Sequence, residues 1–158
     1  GADPGIAAEE RGQGFAIANN LMEMASIDTP ILTIVIGEGA SGGALGIGLC
    51  DKMLMLQNTW FSVISPEGCA SILWKDSSKA PEAAEALKLT PKDLMEHDIC
   101  NMIIHEPVGG AHRHFDETIL IVKKALIEEI DSFKKDESIS YLDSRVARYD
   151  KLGSFREF

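Results

Sequence analysis

A run of twelve residues, positions 37–48, restricts the possible folds more than any other part of this sequence, because six of the twelve are glycine. It follows residues 31–36, an apolar and partly β-branched segment that predicts a short buried strand. The residues after Ser41 have the character of a helix, although each glycine inside a helix costs about 0.5–1 kcal/mol relative to alanine. A helix that accepts several glycines needs bare backbone, for close packing or for contact with a ligand.

The position of these glycines favours contact with an anion. The first N–H groups of a helix have no partner within the helix and carry a partial positive charge. A strand, a glycine-rich turn and a glycine-opened helix therefore predict a site that stabilises negative charge on a bound molecule. The structural alternative is tight packing of the glycines between helix and strand, and the residues alone leave both open.

The same run matches the dinucleotide-binding fingerprint as Gly37-x-Gly39-x-x-Gly42, after a strand and before a helix. Two requirements of that motif are missing. The helix would contain only about eight residues before Asp51, and the acidic residue about 20 positions later is replaced by the polar segment 57–59.

The run also matches the nucleophile elbow of hydrolases as Gly39-x-Ser41-x-Gly43. Ser41 would be the nucleophile, with one of four later histidines as the base. However, an elbow serine follows its strand directly, whereas Ser41 stands five residues after the predicted strand.

A second candidate site begins at Ser65. Ser65 followed by Pro66 predicts an N-cap and a first helical residue, with Glu67 in the first turn of the helix. The structural interpretation is a capped helix with Leu73 and Trp74 in the core. The functional interpretation is a second helix N-terminus that faces the same cavity as the glycine-opened helix, with Glu67 as an acid or base. Cys69 is then a reactive thiol, and in the structural interpretation it is a buried inert one.

Composition excludes several classes of function. The chain has 158 residues, 45% of them hydrophobic, which is enough for one domain with a core. A net charge of −10 disfavours a nucleic-acid partner, and no apolar run is long enough to span a membrane. The three cysteines lack metal-ligand spacing, so we expect reduced thiols and no metal site.

Periodicity and caps predict an α/β layered fold, with a core over residues 1–114 and a C-terminal helical segment over 115–158. The first predicted helix has an apolar stripe that includes Phe15 and Met22. Helices are predicted over 9–27, 41–48, 66–74, 80–87, 91–96, 116–135 and 140–152, and strands over 31–36, 53–57, 60–64 and 102–104.

Five motifs in matching order resemble the carboxyltransferase α subunits of acetyl-CoA carboxylase, closely over residues 1–113 and loosely beyond. They are Gly5-x-x-Ala-Glu-Glu-Arg-Gly-Gln13, Val35-Ile-Gly-Glu-Gly-x-Ser-Gly-Gly-Ala-Leu45, Val63-Ile-Ser-Pro-Glu-Gly-Cys-Ala-Ser-Ile-Leu-Trp-Lys75, Lys79-Ala-Pro81 and Glu106-Pro-x-Gly-Gly-Ala-His-Arg113.

This resemblance implies a crotonase-like (ClpP/crotonase) fold of stacked ββα units, followed by C-terminal helices. It implies transfer of a carboxyl group from carboxybiotin to acetyl-CoA, giving malonyl-CoA for fatty acid biosynthesis. The backbone N–H groups of Gly42 and Gly43 would form the catalytic oxyanion hole for carboxybiotin. The residues implied to bind substrate are Gly37, Gly39, Ser41, Ser65, Pro66, Glu67 and Gly68.

The resemblance also implies cofactors and partners. Biotin would arrive on a separate biotin carboxyl carrier protein. A β subunit would supply the other half of the site, hold most of the acetyl-CoA enolate and carry zinc, within an α2β2 heterotetramer. The family further implies nucleotide (ATP) binding and a location in the cytoplasm or the plastid stroma.

Members of this family carry about as much chain again before these motifs. The sequence begins without methionine, so we expect a fold that is incomplete at its N-terminus and inactive alone. Three other functions stay open: a different crotonase-fold acyl-CoA enzyme (a biotin-dependent decarboxylase or a hydratase), a non-catalytic scaffold that binds the β subunit, and a serine hydrolase.

Overall fold

A computed structural model describes residues 2–3, 5–135 and 140–153. Within these residues the chain forms eight α-helices and five strands, joined in part by a 3-10 turn at Ser77–Lys79. In chain order the elements are α1 Ile6–Glu10, α2 Gln13–Ser26, β1 Leu32–Val35, β2 Glu38–Ala40, α3 Ser41–Gly48, β3 Lys52–Leu56, β4 Trp60–Ser62, α4 Pro66–Leu73, α5 Ala80–Leu87, α6 Pro91–Glu96, β5 Met102–Ile104, α7 Phe115–Lys134 and α8 Tyr141–Tyr149.

Two parallel sheets organise the described chain. The larger sheet has the order β1-β3-β5, with Ile34 opposite Leu54 and Leu54 opposite Met102. The smaller sheet pairs β2 with β4, with Gly39 opposite Phe61. The predicted α/β class is confirmed, and β2 is an additional strand that the sequence pattern did not indicate.

The central strand β3 explains the core. Met53 and Met55 face a cluster that includes Leu94 of α6, whereas Leu54 and Leu56 face a cluster that includes α7. Successive side chains of a strand point to opposite faces, so a continuous apolar run is buried on both sides, as in other parallel sheets. Helices therefore cover both faces of the larger sheet.

The three cysteines, Cys50, Cys69 and Cys100, are free and buried, which confirms the prediction of unpaired thiols. Burial raises the pKa of the Cys50 and Cys100 thiols, so both are neutral and poorly nucleophilic at physiological pH. Cys69 packs with Ala70 and Ala83, as the inert-thiol interpretation expects.

The first predicted helix is two helices, because Gly12 has a φ of +80° and interrupts it. Its apolar stripe does not face the core: Phe15 is 79% exposed and Met22 is 73% exposed. Leu73 and Trp74 were likewise expected in the core, but they are 67% and 45% exposed. Spacing predicts an apolar side of a helix, but it does not show what covers that side.

The C-terminal helices pack on the core. Helix α7 contributes Ala125 to the cluster beneath the larger sheet, and Arg145 of α8 is hydrogen-bonded to Asp51 before β3. Helix α8 ends at Tyr149 rather than at residue 152, with Gly153 at a φ of +89° three residues after the C-cap. In the sequence, the charged run at 131–137 predicts a hinge before α8, and part of this run falls outside the described residues.

Candidate oxyanion site

Two helices begin at the same edge of the smaller sheet. Strand β2 ends at Ala40 and α3 begins at Ser41, whereas β4 ends at Ser62 and α4 begins at Pro66. The strands are parallel, with Ala40 opposite Ser62. Both helices therefore start from the carboxyl edge of this sheet, and the structure brings together the two segments singled out in the sequence.

The N-terminus of α3 has no side-chain cap. Its N-cap residue is Ala40, which has no side-chain acceptor. The N–H groups of Ser41, Gly42 and Gly43 are the first three of the helix and have no acceptor within it. Ser41 is exposed and the two glycines are partly exposed. These donors can therefore bind an acceptor from outside the chain, and the helix dipole favours a negative one.

Ser41 has a φ of +60°, an uncommon backbone conformation for a residue other than glycine. Ser41 directly follows strand β2. The argument against a nucleophile elbow assumed that Ser41 lies five residues after its strand, and the structure contradicts that assumption. The structure provides the sharp strand-to-helix turn, but among the described hydrogen bonds none joins the Ser41 hydroxyl to a histidine. Within the described residues, Ser41 therefore has no hydrogen-bonded histidine that could act as its base.

Close packing does explain two of the glycines. A Cβ added at Gly39 would lie 2.8 Å from the Phe61 ring, and one added at Gly48 would also lie 2.8 Å from it. Real Cβ contacts are essentially never this short. Gly39 and Gly48 therefore make room for an aromatic ring between β2 and the end of α3, as the structural alternative proposed.

Gly42 has no such packing requirement. A Cβ added there would lie 3.7 Å from Cδ1 of Ile17 on α2, which is ordinary van der Waals contact. A Cβ at Gly37 would meet open space. Packing within this chain therefore does not account for a glycine at position 42, in the first turn of α3.

The N-terminus of α4 has the predicted cap. The Ser65 hydroxyl accepts the Gly68 N–H at 3.1 Å, and Pro66 at the first helical position has no N–H. Glu67 is exposed and lies in the first turn. A Cβ at Gly68 would lie 3.0 Å from Ile64, so this glycine serves the tight turn. Helix α4 therefore offers fewer free donors than α3.

The sequence did not indicate a cavity of about 860 Å³ beyond the ends of β3 and β5, lined by Gln57–Thr59 and residues 105–112. Glu106 organises its wall by accepting the N–H groups of Asn58 and Ala111. Burial raises the pKa of Glu106, but these hydrogen bonds outweigh it, and the net pKa lies below its ordinary value. No residue of α3 or α4 lines this cavity.

Residues 2–3, 5–135 and 140–153 contain neither a metal-binding cluster nor a membrane-spanning helix. No group of three or more His, Cys, Asp and Glu side chains there is arranged to hold a metal ion. No helix in those ranges has the length and apolar character needed to cross a membrane.

Solved structures with this fold define a class of protein. One is a Pseudomonas malonate decarboxylase hetero-tetramer in complex with malonate. The match covers 92% of this chain and 57% of the decarboxylase chain, with a TM-score of 0.66 and 14% sequence identity. Another is transcarboxylase 12S with hydrolysed methylmalonyl-coenzyme A bound. The match covers 99% of this chain and 25% of the transcarboxylase chain, with a TM-score of 0.55 and 17% sequence identity. At these identities the likeness shows the fold, and the predicted crotonase-like class is confirmed.

The sequence identifies the family within that class. Residues 1–153 match the family described as acetyl co-enzyme A carboxylase carboxyltransferase-like, and the chain belongs to it. Proteins named acetyl-coenzyme A carboxylase carboxyl transferase subunit alpha are 46% identical in Staphylococcus haemolyticus, 48% in Chlorobaculum parvum and 52% in Protochlamydia amoebophila, each over 99% of this chain.

The chain spans about half the length of these relatives, between 47% and 50%. The resemblance drawn from the five motifs is confirmed, as is membership of a carboxyltransferase family. Neither the family description nor the relatives' names support the expected ATP binding.

Proposed function

We propose that this chain is part of the α subunit of an acetyl-CoA carboxylase carboxyltransferase. In this role it transfers the carboxyl group from carboxybiotin to acetyl-CoA, forming malonyl-CoA in fatty acid biosynthesis. Its family and the names of relatives with 46–52% identity support the assignment. The backbone N–H groups of Gly42 and Gly43 are the proposed oxyanion hole.

One observation carries the proposed site. The first turn of α3 is uncapped and accessible, and packing does not require glycine at position 42. A flat ureido ring needs donors that point outwards from a surface without side chains. The N–H groups at the start of α3 meet that need, so the residues present fit biotin.

Carboxybiotin bound there would supply the carboxyl group, and its ureido oxygen would gain negative charge on loss of that group. The N–H groups of Gly42 and Gly43 are held by the helix before the reaction, so they stabilise this charge without rearrangement. Loss of one such donor raises the barrier by about 2.7–4 kcal/mol. Backbone donors do not titrate, so this contribution is independent of pH over the range in which the fold is stable.

The substrate-binding residues are proposed from their position at the same edge of the smaller sheet. Gly37 and Ser41 flank β2 and are exposed, and Gly39 between them allows β2 to approach Phe61. The first turn of α4 forms the opposite side of the site, through the residues Ser65, Pro66, Glu67 and Gly68.

The name of the relatives as α subunits supports a β-subunit partner. We place the acetyl-CoA enolate and a zinc ion on that β subunit, within an α2β2 heterotetramer. Biotin is delivered on a biotin carboxyl carrier protein. The corresponding location is the cytoplasm, or the plastid stroma.

The test replaces Gly42 with valine in the full-length polypeptide assembled with the β subunit. Helix Cβ atoms tilt towards the N-terminus, so the valine branches crowd the first-turn donors. Malonyl-CoA formation is expected to fall about 100-fold or more, with assembly retained. Gly14→Val is a matched control, because Gly14 is also the second residue of an uncapped helix and its added Cβ would also have its nearest contact at 3.7 Å.

Full activity of Gly42→Val would refute the assignment of the oxyanion hole. Joint loss of assembly and activity would indicate a scaffold role instead. Turnover of an acyl-CoA without any biotin compound would indicate a decarboxylase or a hydratase, and covalent labelling of Ser41 by a fluorophosphonate would indicate a hydrolase.

A further inference from the structure

Three side chains from three different elements bind successive carbonyl groups at the C-terminal end of α3. The Asn20 amide of α2 donates to the carbonyl of Gly46. The Thr33 hydroxyl of β1 donates to the carbonyl of Ile47 at 2.8 Å, and the Tyr149 hydroxyl of α8 donates to the carbonyl of Gly48 at 2.9 Å. These acceptors belong to the last turn of a helix, where the carbonyl groups have no partner within the helix.

Tyr149 makes the contact that is most distant in sequence. Its hydroxyl also accepts the Cys50 N–H at 3.0 Å, so one side chain bridges both sides of the turn between α3 and β3. Burial raises the pKa of Tyr149, which keeps the hydroxyl protonated and able to donate at neutral pH.

Helix α8 is itself held firmly against the core. Arg145, one helical turn before Tyr149, is 2% exposed and binds the Asp51 carboxylate at 2.8 and 3.0 Å. The same guanidinium donates to the carbonyl groups of Met24, Ile27 and Thr29 at the end of α2. Tyr149 is therefore presented to α3 from a fixed position.

We infer that Asn20, Thr33 and Tyr149 are positioning residues for the oxyanion site at the other end of α3. This inference rests on the proposed function. Helix α3 has eight residues, a length of about 12 Å at 1.5 Å per residue, so a shift at its C-terminal end moves its first turn. A helix rich in glycine is intrinsically weak, and α3 has no capping side chain of its own at either end.

The proposed effect acts through geometry, because none of the three side chains lies at the N-terminus of α3. Oxyanion donors must match the position of developing charge closely, and a misplacement of about 1 Å can cost about 100-fold in rate. Loss of one contact should therefore lower kcat, whereas KM for acetyl-CoA, which binds mainly on the β subunit in the proposed function, should change little.

The main test compares Tyr149→Phe with Tyr141→Phe in the full-length polypeptide assembled with the β subunit. Both tyrosines lie on α8, and both hydroxyls donate to a backbone carbonyl at 2.9 Å, but Tyr141 binds Phe133 of α7 and not α3. We expect kcat to fall at least tenfold in Tyr149→Phe at unchanged KM, and to stay within about twofold of the native value in Tyr141→Phe. Equal losses in both variants, or native kcat in Tyr149→Phe, would overturn the inference.

Substitutions at a second pair of residues test the positioning inference if Tyr149→Phe does not fold. Thr33 and Thr118 are both buried, and each hydroxyl donates to a backbone carbonyl at 2.8 Å, but Thr118 binds the carbonyl of His114, the N-cap residue of α7. Thr33→Val should lower kcat, Thr33→Ser should restore it, and Thr118→Val should leave it unchanged. Failure of the serine variant to restore kcat would count against a role for the hydroxyl.

An additional measurement separates this inference from the proposed function. In glycine-labelled protein, the amide resonances of Gly42 and Gly43 should shift in Tyr149→Phe and not in Tyr141→Phe. If these resonances shift but the native assembly transfers no carboxyl group, the positioning is upheld and the proposed function fails. Unshifted resonances would overturn the positioning, whatever the activity.

Discussion

Replacement of Arg145 by alanine removes a buried side chain that makes five hydrogen bonds, and its cost follows from the groups left behind. The side chains of Arg145 and Asp51 are 2% and 8% exposed. Without the guanidinium, the Asp51 carboxylate keeps one described hydrogen bond, from the Ile31 N–H, and three carbonyl groups lose a donor. Breaking a buried ion pair on one side costs about 3–5 kcal/mol, which corresponds to a fall in Tm of about 6–20 °C in a domain of this size.

Urea and thermal unfolding followed by circular dichroism measure this loss, with two comparison variants. Lys124→Ala breaks an exposed ion pair with Glu128 and should cost less than about 1 kcal/mol. Arg145→Met combined with Asp51→Leu removes both charges and should recover much of the stability, because the penalty comes mainly from the unpaired charge. A loss below about 1 kcal/mol in Arg145→Ala would refute this reasoning.

Two further predictions concern stability. Gly39→Ala should lower the free energy of unfolding by about 1–3 kcal/mol, because its Cβ would lie 2.8 Å from the Phe61 ring. In the control Gly37→Ala the added Cβ meets open space, so the free energy of unfolding should change by less than about 0.5 kcal/mol. Equal urea midpoints for the two variants would contradict the packing argument. The folded pKa of Glu106 lies below its ordinary value of 4.5, so its contribution to stability is complete above that pH and is lost as the pH falls through the folded pKa. The stability difference between the native protein and Glu106→Gln should therefore shrink below about pH 4.5, and a difference that stays constant with pH would show that the carboxylate contributes nothing through its charge.

Local signals in the sequence predicted much of the secondary structure. Ser65 followed by Pro66 marked the start of α4, and a helix was predicted over 91–96; in the structure the hydroxyls of Ser65 and Thr90 cap α4 and α6. The start of α3 at Ser41 and the strand at Met102–Ile104 were also predicted. These elements are specified by neighbouring residues, so a short stretch of sequence contains the information.

Other local features escaped prediction because their signals were too short or ambiguous. Strand β2 has three residues, Glu38–Ala40, with no periodicity to detect. The interruption between α1 and α2 depends on the positive φ of Gly12. Glycine permits a positive φ, but its presence in a sequence does not predict one. A strand directly before Ser41 changed the interpretation of that turn, since an elbow-like geometry is present without a described base.

The sequence by itself determined the family, the α/β class and the existence of a glycine-opened helix, because motifs and periodicity are properties of adjacent residues. Only the tertiary structure decided which glycines serve packing, since Phe61 fills the space at Gly39 and Gly48 but not at Gly42. It also decided that residues as distant as Asn20 and Tyr149 meet at the end of α3. Contacts of this kind arise when the chain closes on itself, and no local pattern encodes them.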